Sequence, residues 1–482
     1  MLIVKDKIFM TYIKHYNDMK ETGLVLLYFG ISMSYSPSVM ASELPNIVLI
    51  NIDDLGWTDL SCNGSNYYET PNIDKLKSSG IWFSQAYAGA ANSAPSRACM
   101  LTGQNTPRHG IYTVSPADRG KKELRKLISY PNRESLPEGF QILPEVLKKA
   151  GYQTFHVGKW HVTYNPLECG VEINVAGNHA GHPKSYFSPY KNKDLKDGEK
   201  GEFLTNRLGD EAVKLIKEAD KSKPYFLYYA TYAVHTPLQA PEELIEKYRR
   251  KKSNKAHYNP VYAALVEVMD RNVGKVLDAI NESGQSQKTI IVFTSDNGGV
   301  YNISRQWPLR AGKGSFYEGG IRVPLIIYQP GIFERKEFDN ISVCQMDLFP
   351  TFLDMAGISD SSLLLDGKSL VPLLTKGNTD YLKDRSLFWH FPAYLEGGNI
   401  ETVDKYFRSR PVSVIHKGDW KLIENYEDGS FELYNLKNDI SEKKNLVEKY
   451  PDILGKLKNE LYDWKKKVDA PCNFDKNPYY KH

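Results

Sequence analysis

The chain has 482 residues, which is enough for a large core and for two packed units. Hydrophobic residues make up 41% of the chain and charged residues 25%, which are ordinary values for a globular protein in water. The net charge of +4 creates no strong field toward nucleic acid, so we expect no nucleic-acid partner.

The five cysteines are widely scattered and none forms a CxxC pair. This spacing argues against a zinc cage, a redox motif and a disulfide framework, although one disulfide bond remains open.

The first 41 residues are typical of an export signal. A short apolar run at 23–31 follows Lys20, and Val39-Met40-Ala41 offers a cleavage site. The run is too short for a stable membrane span. We therefore expect a periplasmic or extracellular protein from which residues 1–41 are removed. The start at Met1 or Met19 stays open, and an ordinary buried helix is the alternative.

From residue 45 onward, buried apolar runs alternate with helical patterns, which indicates a layered α/β sheet. Predicted strands lie at 45–51, 82–87, 152–157, 224–230, 289–294 and 325–328. Predicted helices lie at 70–80, 143–151, 205–219, 260–283 and 347–356. The pattern changes at about residue 384, after which we expect a hairpin turning near Gly418-Asp419, a strand at 431–436 and a Lys-rich amphipathic helix at 451–468.

Four predicted strands end in polar residues of complementary chemistry. These residues are Asp53 and Asp54, Lys159 and His161, His235, and Asp296 and Asn297. Ligands of open α/β sheets bind outside the carboxyl ends of the strands. Each residue alone could be a cap or a solvated turn group, but four such endings together predict one site. The adjacent carboxylates of Asp53 and Asp54 repel each other unless a cation or donors neutralise them.

The most specific stretch is Ser93–Gly103, which reads Ser-Ala-Pro-Ser-Arg-Ala-Cys-Met-Leu-Thr-Gly. Pro95 suits the first turn of a helix. Arg97 lies at the helix start, where the dipole does not favour a cation, so we expect an anion to hold it. The small residues at 89–94 permit close approach of backbone to the predicted site. A tight turn before an ordinary helix is the alternative.

This stretch resembles the signature of the type I, formylglycine-dependent sulfatases. The other family motifs follow in order between Asn46 and about Tyr480, including Gly158-Lys159-Trp160-His161 and Gly312-Lys313-Gly314. The resemblance implies the alkaline phosphatase superfamily fold, with a large mixed, mostly parallel sheet flanked by helices and a smaller C-terminal antiparallel sheet with a helix. We expect a catalytic domain at 42–383 and a C-terminal subdomain at 384–482.

The resemblance implies that Ser93 is oxidised to formylglycine and that Arg97 orients its hydrate. Lys159 and Lys313 would bind sulfate oxygens as preplaced positive charge. A hydrate suits this chemistry because a sulfated serine would have no spare hydroxyl with which to expel sulfate. Serine at position 93 is similar to the serine-type sulfatases of anaerobic bacteria, which implies a radical iron–sulfur maturing enzyme as partner. An engineered Cys-to-Ser change would look identical.

Two histidines would move protons by the same resemblance. His235 would protonate the departing alcohol, and His161 would deprotonate the second hydroxyl of the hydrate and so regenerate the aldehyde.

The resemblance also implies a calcium ion held by Asp53, Asp54, Asp296 and Asn297, together with the side chain of residue 93. Oxygen donors of this kind suit a hard cation, and magnesium is the second choice. The sequence offers no Cys/His set typical of zinc.

Family members of this length with an export signal often remove sulfate from glycans, which implies a sulfated oligosaccharide or polysaccharide as substrate. His179, His182 and Arg310, in polar loops, are the candidate sugar-binding residues. The loop at Gly170-Val171-Glu172 departs from the Phe-Asp pair common in related chains. The alternatives are a phosphodiesterase or phosphonate monoester hydrolase of the same superfamily, and a non-catalytic binder of sulfated glycan in which Ser93 is never oxidised.

Overall fold

A computed structural model describes residues 44–481 of the chain. The predicted export signal at 1–41 therefore lies outside the described residues. Within the described part, every helix is too short or too polar to cross a lipid bilayer.

The strands of residues 44–481 fall into two sheets and two short ribbons. In chain order they are β1 (Asn46–Ile52), β2 (Ile81–Phe83), β3 (Ala86–Tyr87), β4 (Gln153–Gly158), β5 (Ile173–Val175), β6 (Tyr225–Ala230), β7 (Thr289–Ser295), β8 (Leu325–Tyr328), β9 (Lys336–Phe338), β10 (Val343–Cys344), β11 (Ser386–Phe391), β12 (Leu395–Glu396), β13 (Phe407–Ser409), β14 (Val412–Lys417), β15 (Trp420–Asn425) and β16 (Phe431–Asn435).

The larger sheet has the strand order β5-β4-β6-β1-β7-β8-β2-β9. Only β8 runs against its neighbours in this sheet, and every other pair is parallel. The predicted mixed, mostly parallel sheet is confirmed. The single predicted strand at 82–87 was wrong, because the chain turns after Phe83 and residues 86–87 pair with β10 in a separate ribbon.

The helices of the described chain lie mainly on the two faces of this sheet. They are α1 (Pro71–Ser79), α2 (Ser93–Thr102), α3 (Thr106–His109), α4 (Leu143–Lys149), α5 (Leu204–Glu218), α6 (Glu242–Arg250), α7 (Pro260–Glu282), α8 (Glu318–Ile321), α9 (Leu348–Met355), α10 (Val371–Lys376), α11 (Asp380–Lys383) and α12 (Pro451–Lys467). Short 3-10 helices lie at Ser61–Asn63, Lys122–Leu124, Pro166–Cys169, Ser286–Lys288 and Gln345–Asp347.

The central strands are apolar on both faces because helices cover both. Val48 and Ile50 of β1 belong to the core under α5 and α7. Ile47 and Leu49 face the opposite way, into the core that includes α2, α4 and α9. Successive strand side chains point to opposite faces, so a strand covered on both sides needs a continuous apolar run. That is the pattern from which the sequence predicted these strands.

The C-terminal sheet is antiparallel, in the order β11-β14-β15-β16. Its central hairpin turns at Gly418, which has a positive φ of 55°, and pairs Lys417 with Trp420. Helix α12 packs Leu457, Leu461 and Trp464 against this sheet. The predicted antiparallel sheet with its helix is confirmed. Elsewhere, all five thiols are free, so the disulfide bond left open by the sequence does not form.

Candidate active site

The four polar strand endings meet at one edge of the larger sheet. Strands β4, β6, β1 and β7 are adjacent and parallel, so their carboxyl ends lie side by side. Helix α2 begins at the same edge with Ser93, immediately after its extended N-cap residue Asn92. The sequence prediction that these strand ends converge is therefore confirmed.

Ser93 lies at the centre of this edge and is almost fully buried. Its Oγ lies 3.2 Å from Asp53 Oδ1 and 3.3 Å from Asn297 Oδ1. The Nζ of Lys159 donates to the same Oγ at 3.0 Å. One hydroxyl group is thus surrounded by an anion, an amide oxygen and a cation.

Each of the three carboxylates faces one cation. Lys159 Nζ lies 2.8 Å from both oxygens of Asp53, and Arg97 Nε lies 2.9 Å from Asp296 Oδ2. Lys313 Nζ lies 2.6 Å from Asp54 Oδ1. The three positive and three negative side chains balance. A divalent cation would therefore add positive charge, which an anionic substrate could offset.

The pKa values of Asp53 and Asp54 shift in opposite directions. Burial raises the pKa of Asp53 to about 8, although Lys159 opposes the shift. Burial also acts on Asp54, but Lys313 and His235 outweigh it and lower its pKa. Asp53 resists ionisation because it is buried beside two other carboxylates. Additional positive charge at this site would therefore stabilise its ionised form.

Two residues of the site hold backbone conformations that side chains disfavour. Asp54 has a φ of 62° and His161 a φ of 59°. Asp54 N donates to Asp296 Oδ1 at 3.1 Å, and His161 N donates to Asn178 O at 3.0 Å. Left-handed backbone at non-glycine residues costs on the order of 1–3 kcal/mol each and persists where the surroundings fix it, which is typical of functional sites.

Arg97 is held by an anion, as expected, and this anion is Asp296. Its Nη1 donates to Lys159 O at 2.8 Å and to Tyr228 Oη at 3.3 Å. Its Nη2 has no hydrogen-bond partner among the described residues and lies 3.8 Å from Asp53 Oδ1. The guanidinium thus retains an unused donor at the site, and its action on a hydrate of residue 93 stays a prediction.

The donor set fits a hard divalent cation. Ligand atoms of Asp53, Asp54 and His235 all lie within 4.8 Å of one another. Asp296 and Asn297 add oxygens to the same edge through their contacts with Asp54 N and Ser93 Oγ. Oxygens outnumber the single imidazole nitrogen, which favours calcium or magnesium.

His235 and His161 lie on either side of this group and both favour the neutral form. His235 Nδ1 lies 2.7 Å from Thr236 O, which only accepts, so this nitrogen carries a proton and Nε2 faces Asp54 at 3.6 Å. Burial, followed by Lys313, lowers the pKa of His235 to about 3. Burial lowers the pKa of His161 well below its usual value. A bound anion would make protonation of His235 easier.

The loop that holds His179 and His182 folds over these two histidines. The ring of His182 is parallel to that of His235 with 6.1 Å between the centroids. The ring of His179 meets His161 edge-on at 5.9 Å and stacks on Tyr164. The structure thus brings both predicted sugar-binding histidines beside His161 and His235, although contact with a sugar stays a prediction.

Arg310 lies apart from this group, among residues of the C-terminal sheet. It donates to Glu401 O at 2.8 Å, Tyr434 Oη at 3.1 Å and Glu442 O at 2.9 Å. Its guanidinium also lies 3.6 Å from the ring centroid of Tyr317. These contacts occupy the side chain, and its proposed role in sugar binding stays a prediction.

Other residues support the site without having been singled out in the sequence. Tyr228 Oη accepts from Arg97 and from Asn51 Nδ2. Gln345 accepts from Ser96 Oγ at 3.0 Å and donates to the end of β7, which ties α2 to that strand. Tyr228 lies in an apolar strand pattern and Gln345 in an ordinary stretch, so no local signal marks either.

The small residues before Ser93 were expected to let the backbone approach the acidic group, but Gly89 contacts helix α2 instead. A Cβ atom on Gly89 would lie 2.4 Å from Cys99 Cβ, so this glycine admits helix α2 and not the acidic group. Ala91 O accepts from Gly314 N at 2.7 Å, which fixes the Lys313 loop against the start of α2.

Comparisons with known proteins agree with this geometry. The Sulfatase family profile matches residues 45–358, and that of N-sulphoglucosamine sulphohydrolase, C-terminal, matches residues 312–467. A sulfatase of Formosa agariphila is 34% identical, with 96% of this chain and 98% of that protein covered. Human N-acetylgalactosamine-6-sulfatase is 31% identical over 73% of this chain and 69% of its own. The crystal structure of Ps i-CgsB in complex with k-i-k-neocarrahexaose superposes with a TM-score of 0.72 at 32% identity, covering 88% of this chain and 93% of that one.

Proposed function

The chain belongs to the sulfatase family, and we propose that the sulfate esters it hydrolyses are carried by an oligosaccharide or polysaccharide. Two similar proteins above 30% identity support this substrate class. One is an N-acetylgalactosamine-6-sulfatase, and the other was solved with a neocarrahexaose. The His179–His182 loop beside His161 and His235 offers ring faces and polar atoms of the kind that contact sugars.

The observation that carries the catalytic proposal is the position of Ser93 Oγ, within 3.3 Å of Asp53, Lys159 and Asn297. We propose that Ser93 is oxidised to formylglycine before the enzyme turns over. The hydrate of that aldehyde supplies an oxygen nucleophile and a second hydroxyl for sulfate release. The same proposal includes export of a precursor and oxidation of Ser93 by a radical iron–sulfur maturing enzyme. It also includes a division into a catalytic domain at 42–383 and a subdomain at 384–482.

Asp53, Asp54, Asp296 and Asn297 would hold a calcium ion, with magnesium as the alternative. The ion supplies positive charge that lowers the cost of bringing a sulfate group beside three carboxylates. The hard oxygen donors gathered at this edge support this assignment.

Lys159 and Lys313 bind the sulfate oxygens in this proposal. Lys159 is completely buried and Lys313 nearly so, with a side-chain exposure of 14%. Both ammonium groups already lie at the site, and a cation on the carboxylate oxygens of Asp53 and Asp54 would leave them free to bind the sulfate oxygens. Arg97 holds Asp296 in place and directs its free Nη2 into the site.

Proton transfer falls to the two histidines. His235 Nδ1 is fixed by Thr236 O, so Nε2 is the atom that takes up a proton when the anionic substrate binds and then delivers it to the departing sugar oxygen. His161 is buried and neutral, and its Nδ1 has no hydrogen-bond partner within the described part of the chain. That nitrogen can accept the proton released in the step that frees sulfate.

Mass spectrometry tests the oxidation directly. Trypsin releases residue 93 in the peptide 78–97, and conversion of serine to formylglycine removes two hydrogen atoms from it. Protein active in its native host should contain the lighter peptide, and a Ser93→Ala variant should lack both the mass loss and the activity. An active sample that contains only unmodified serine contradicts the proposal.

A release assay tests the substrate class. Matured enzyme with calcium is offered position-defined sulfated saccharides together with matched aryl sulfate and aryl phosphate esters. We expect sulfate release from at least one saccharide and faster cleavage of the sulfate than of the phosphate. Preference for phosphate, or binding of sulfated glycan without turnover after maturation, would favour one of the two alternative functions.

A further inference from the structure

Arg408 lies on a short ribbon close to the Lys313 loop. The ribbon pairs β12 with β13 in antiparallel register. Phe407 and Ser409 are buried on one side of β13. Because strand side chains alternate, Arg408 points to the other side, where it is half-buried.

The Arg408 side chain packs directly on the residue after Lys313. A Cβ atom on Gly314 would lie 3.1 Å from Arg408 Cδ, and Gly314 has a positive φ of 84°. Arg408 and Lys313 line the same small recess, together with Tyr301, Asn302 and Asn399. A cationic side chain from the C-terminal ribbon therefore borders the position assigned to the scissile sulfate.

Arg408 has few partners for a half-buried cation. Its Nε donates to Gly397 O at 3.2 Å, and its terminal nitrogens make no hydrogen bond within residues 44–481. Burial lowers its pKa, the carboxylates of Asp54 and Glu396 oppose that shift, and the guanidinium of Arg119 adds to it. Asp54 is already paired with Lys313. A partly desolvated guanidinium group with unfilled donors is stabilised by an anion beside it.

We propose that Arg408 binds a second anionic substituent of the saccharide, a sulfate or a carboxylate close to the scissile sulfate. The proposal rests on the saccharide sulfatase function given above. A guanidinium suits this role because its planar fork matches two oxygens of either group. Arg408 then favours dianionic over monoanionic substrates, while Lys159 and Lys313 bind the sulfate that leaves.

Substitution with matched substrates tests this specificity. Arg408→Gln and Arg408→Lys are compared with Arg335→Gln, an exposed arginine paired with Glu337 on the far edge strand of the sheet. The substrates are a neutral monosulfated disaccharide, its disulfated form and a monosulfated disaccharide that contains a uronate. We expect Arg408→Gln to lower the kcat/KM ratio of dianionic to monoanionic substrate by about 10- to 100-fold, the scale of hydrogen bonds to charged groups.

Arg408→Lys should recover part of the ratio, and Arg335→Gln should leave it unchanged. The disulfated and uronate substrates show which anion Arg408 prefers. An unchanged ratio in Arg408→Gln overturns the proposal, whatever the absolute rates of the variant.

A binding measurement separates this inference from the hydrolysis itself. Calorimetry on chain produced without a maturing enzyme, so that residue 93 stays serine, measures the affinities of the same saccharides. Wild type should prefer the dianionic sugars and Arg408→Gln should lose that preference. If wild type prefers the dianionic sugars but matured enzyme turns none of them over, the proposed function fails and the role of Arg408 stands. If wild type binds monoanionic and dianionic sugars equally, the role of Arg408 is overturned.

Discussion

Two groups of buried charged residues in this molecule use the same residue types and differ in whether a hydrogen-bond donor is left free. In the active site, Arg97 Nη2 and His161 Nδ1 have no hydrogen-bond partner in the part of the chain described. Beneath the C-terminal sheet, Glu318, Lys421, Glu442 and Arg322 form what we call the closed cluster. Three of the four glutamate oxygens there accept hydrogen bonds, and the fourth, Glu442 Oε1, meets Lys421 Nζ at an ion-pair distance of 2.8 Å without a hydrogen bond.

The closed cluster joins the two sheets and offers nothing to a ligand. Glu442 Oε2 accepts from Glu318 N at 2.6 Å, and Lys421 Nζ lies 3.1 Å from Glu318 Oε1 and 2.8 Å from Glu442 Oε1. Lys421 and both glutamates are completely buried. Buried charge therefore does not identify a functional site by itself. Left-handed backbone and repelling carboxylates do not identify one either, because Glu442 has a φ of 49° and burial, together with repulsion from Glu318, raises its pKa to about 7. The active site differs in the free Nη2 donor of Arg97 and in the ligand atoms of Asp53, Asp54 and His235, which all lie within 4.8 Å of one another.

The largest expected effect comes from Lys159→Met in the active site. This change removes a preplaced cation from the sulfate position, and we expect kcat/KM for an aryl sulfate to fall by about 10³-fold. Steady-state kinetics on matured protein measures it, with circular dichroism as the check on folding. Retention of more than a tenth of the wild-type kcat/KM would mean that Lys159 does not bind the reacting sulfate.

The same substitution in the closed cluster should produce the opposite outcome. Lys421→Met leaves two buried carboxylates without their cation, so we expect the free energy of unfolding to fall by about 3–5 kcal/mol. Urea denaturation measures the loss, and kcat/KM of the folded fraction should stay within about threefold of wild type because no atom of the cluster reaches the site. A stable Lys421→Met protein with a large loss of kcat would show that the two regions are functionally coupled.

Calcium should stabilise the folded protein by binding in the active site and not in the closed cluster. At a calcium concentration 100 times the dissociation constant, binding to the folded state alone adds about 2.7 kcal/mol to the free energy of unfolding. Asp296→Asn should abolish this increment, and Glu442→Gln should retain it because Glu442 lies in the closed cluster. Denaturation with calcium, with magnesium and with a chelator measures the increment. A calcium increment that survives in Asp296→Asn would place the ion elsewhere.

Acid should weaken the contribution of His416, which lies beside Tyr87 at the closed cluster. Burial lowers the pKa of His416 to about 4, although Glu318 opposes the shift. At His416 the unfolded chain therefore binds more protons than the folded chain between pH 6.5 and about 4, so the contribution of this residue to stability falls as pH falls through that window. Glu442, whose pKa burial raises from 4.5 to about 7, contributes the opposite slope, so the test is the difference between wild type and a His416 variant. The expected loss from this residue is about 1.4 kcal/mol per pH unit.

His416→Gln should make this dependence shallower by the same amount. Urea midpoints measured across the window provide the test, with His182→Gln as the exposed-histidine control. Identical slopes in wild type and His416→Gln would show that His416 is not held neutral.

The contrast between Arg310 and Arg408 shows where sequence reasoning reached its limit. Both lie in polar stretches, and only Arg310 was singled out as a sugar-binding candidate. Its partners Glu401, Tyr434 and Glu442 lie 91, 124 and 132 residues away along the chain, and they occupy its Nε and Nη1 donors, whereas both terminal nitrogens of Arg408 are without a hydrogen bond in the described residues. Which arginine has free donors depends on contacts made only after the two sheets pack, so local composition cannot distinguish them.

The sequence by itself determined the sheet and most of the site. Continuous apolar runs predicted the central strands because both faces of the sheet are covered. Polar residues directly after those runs predicted the converging edge because parallel strands end together. The family signature then placed Ser93 and Arg97 at that edge.

Tertiary structure decided what the chain alone could not. It paired Arg97 with Asp296, made Gly89 a contact for Cys99, split the strand predicted at 82–87 and added Tyr228, Gln345 and the closed cluster. The physical reason is the distance along the chain over which each kind of interaction acts. Periodicity and turn chemistry act over a few residues, whereas the pairing of a buried side chain depends on which distant segments exclude water around it.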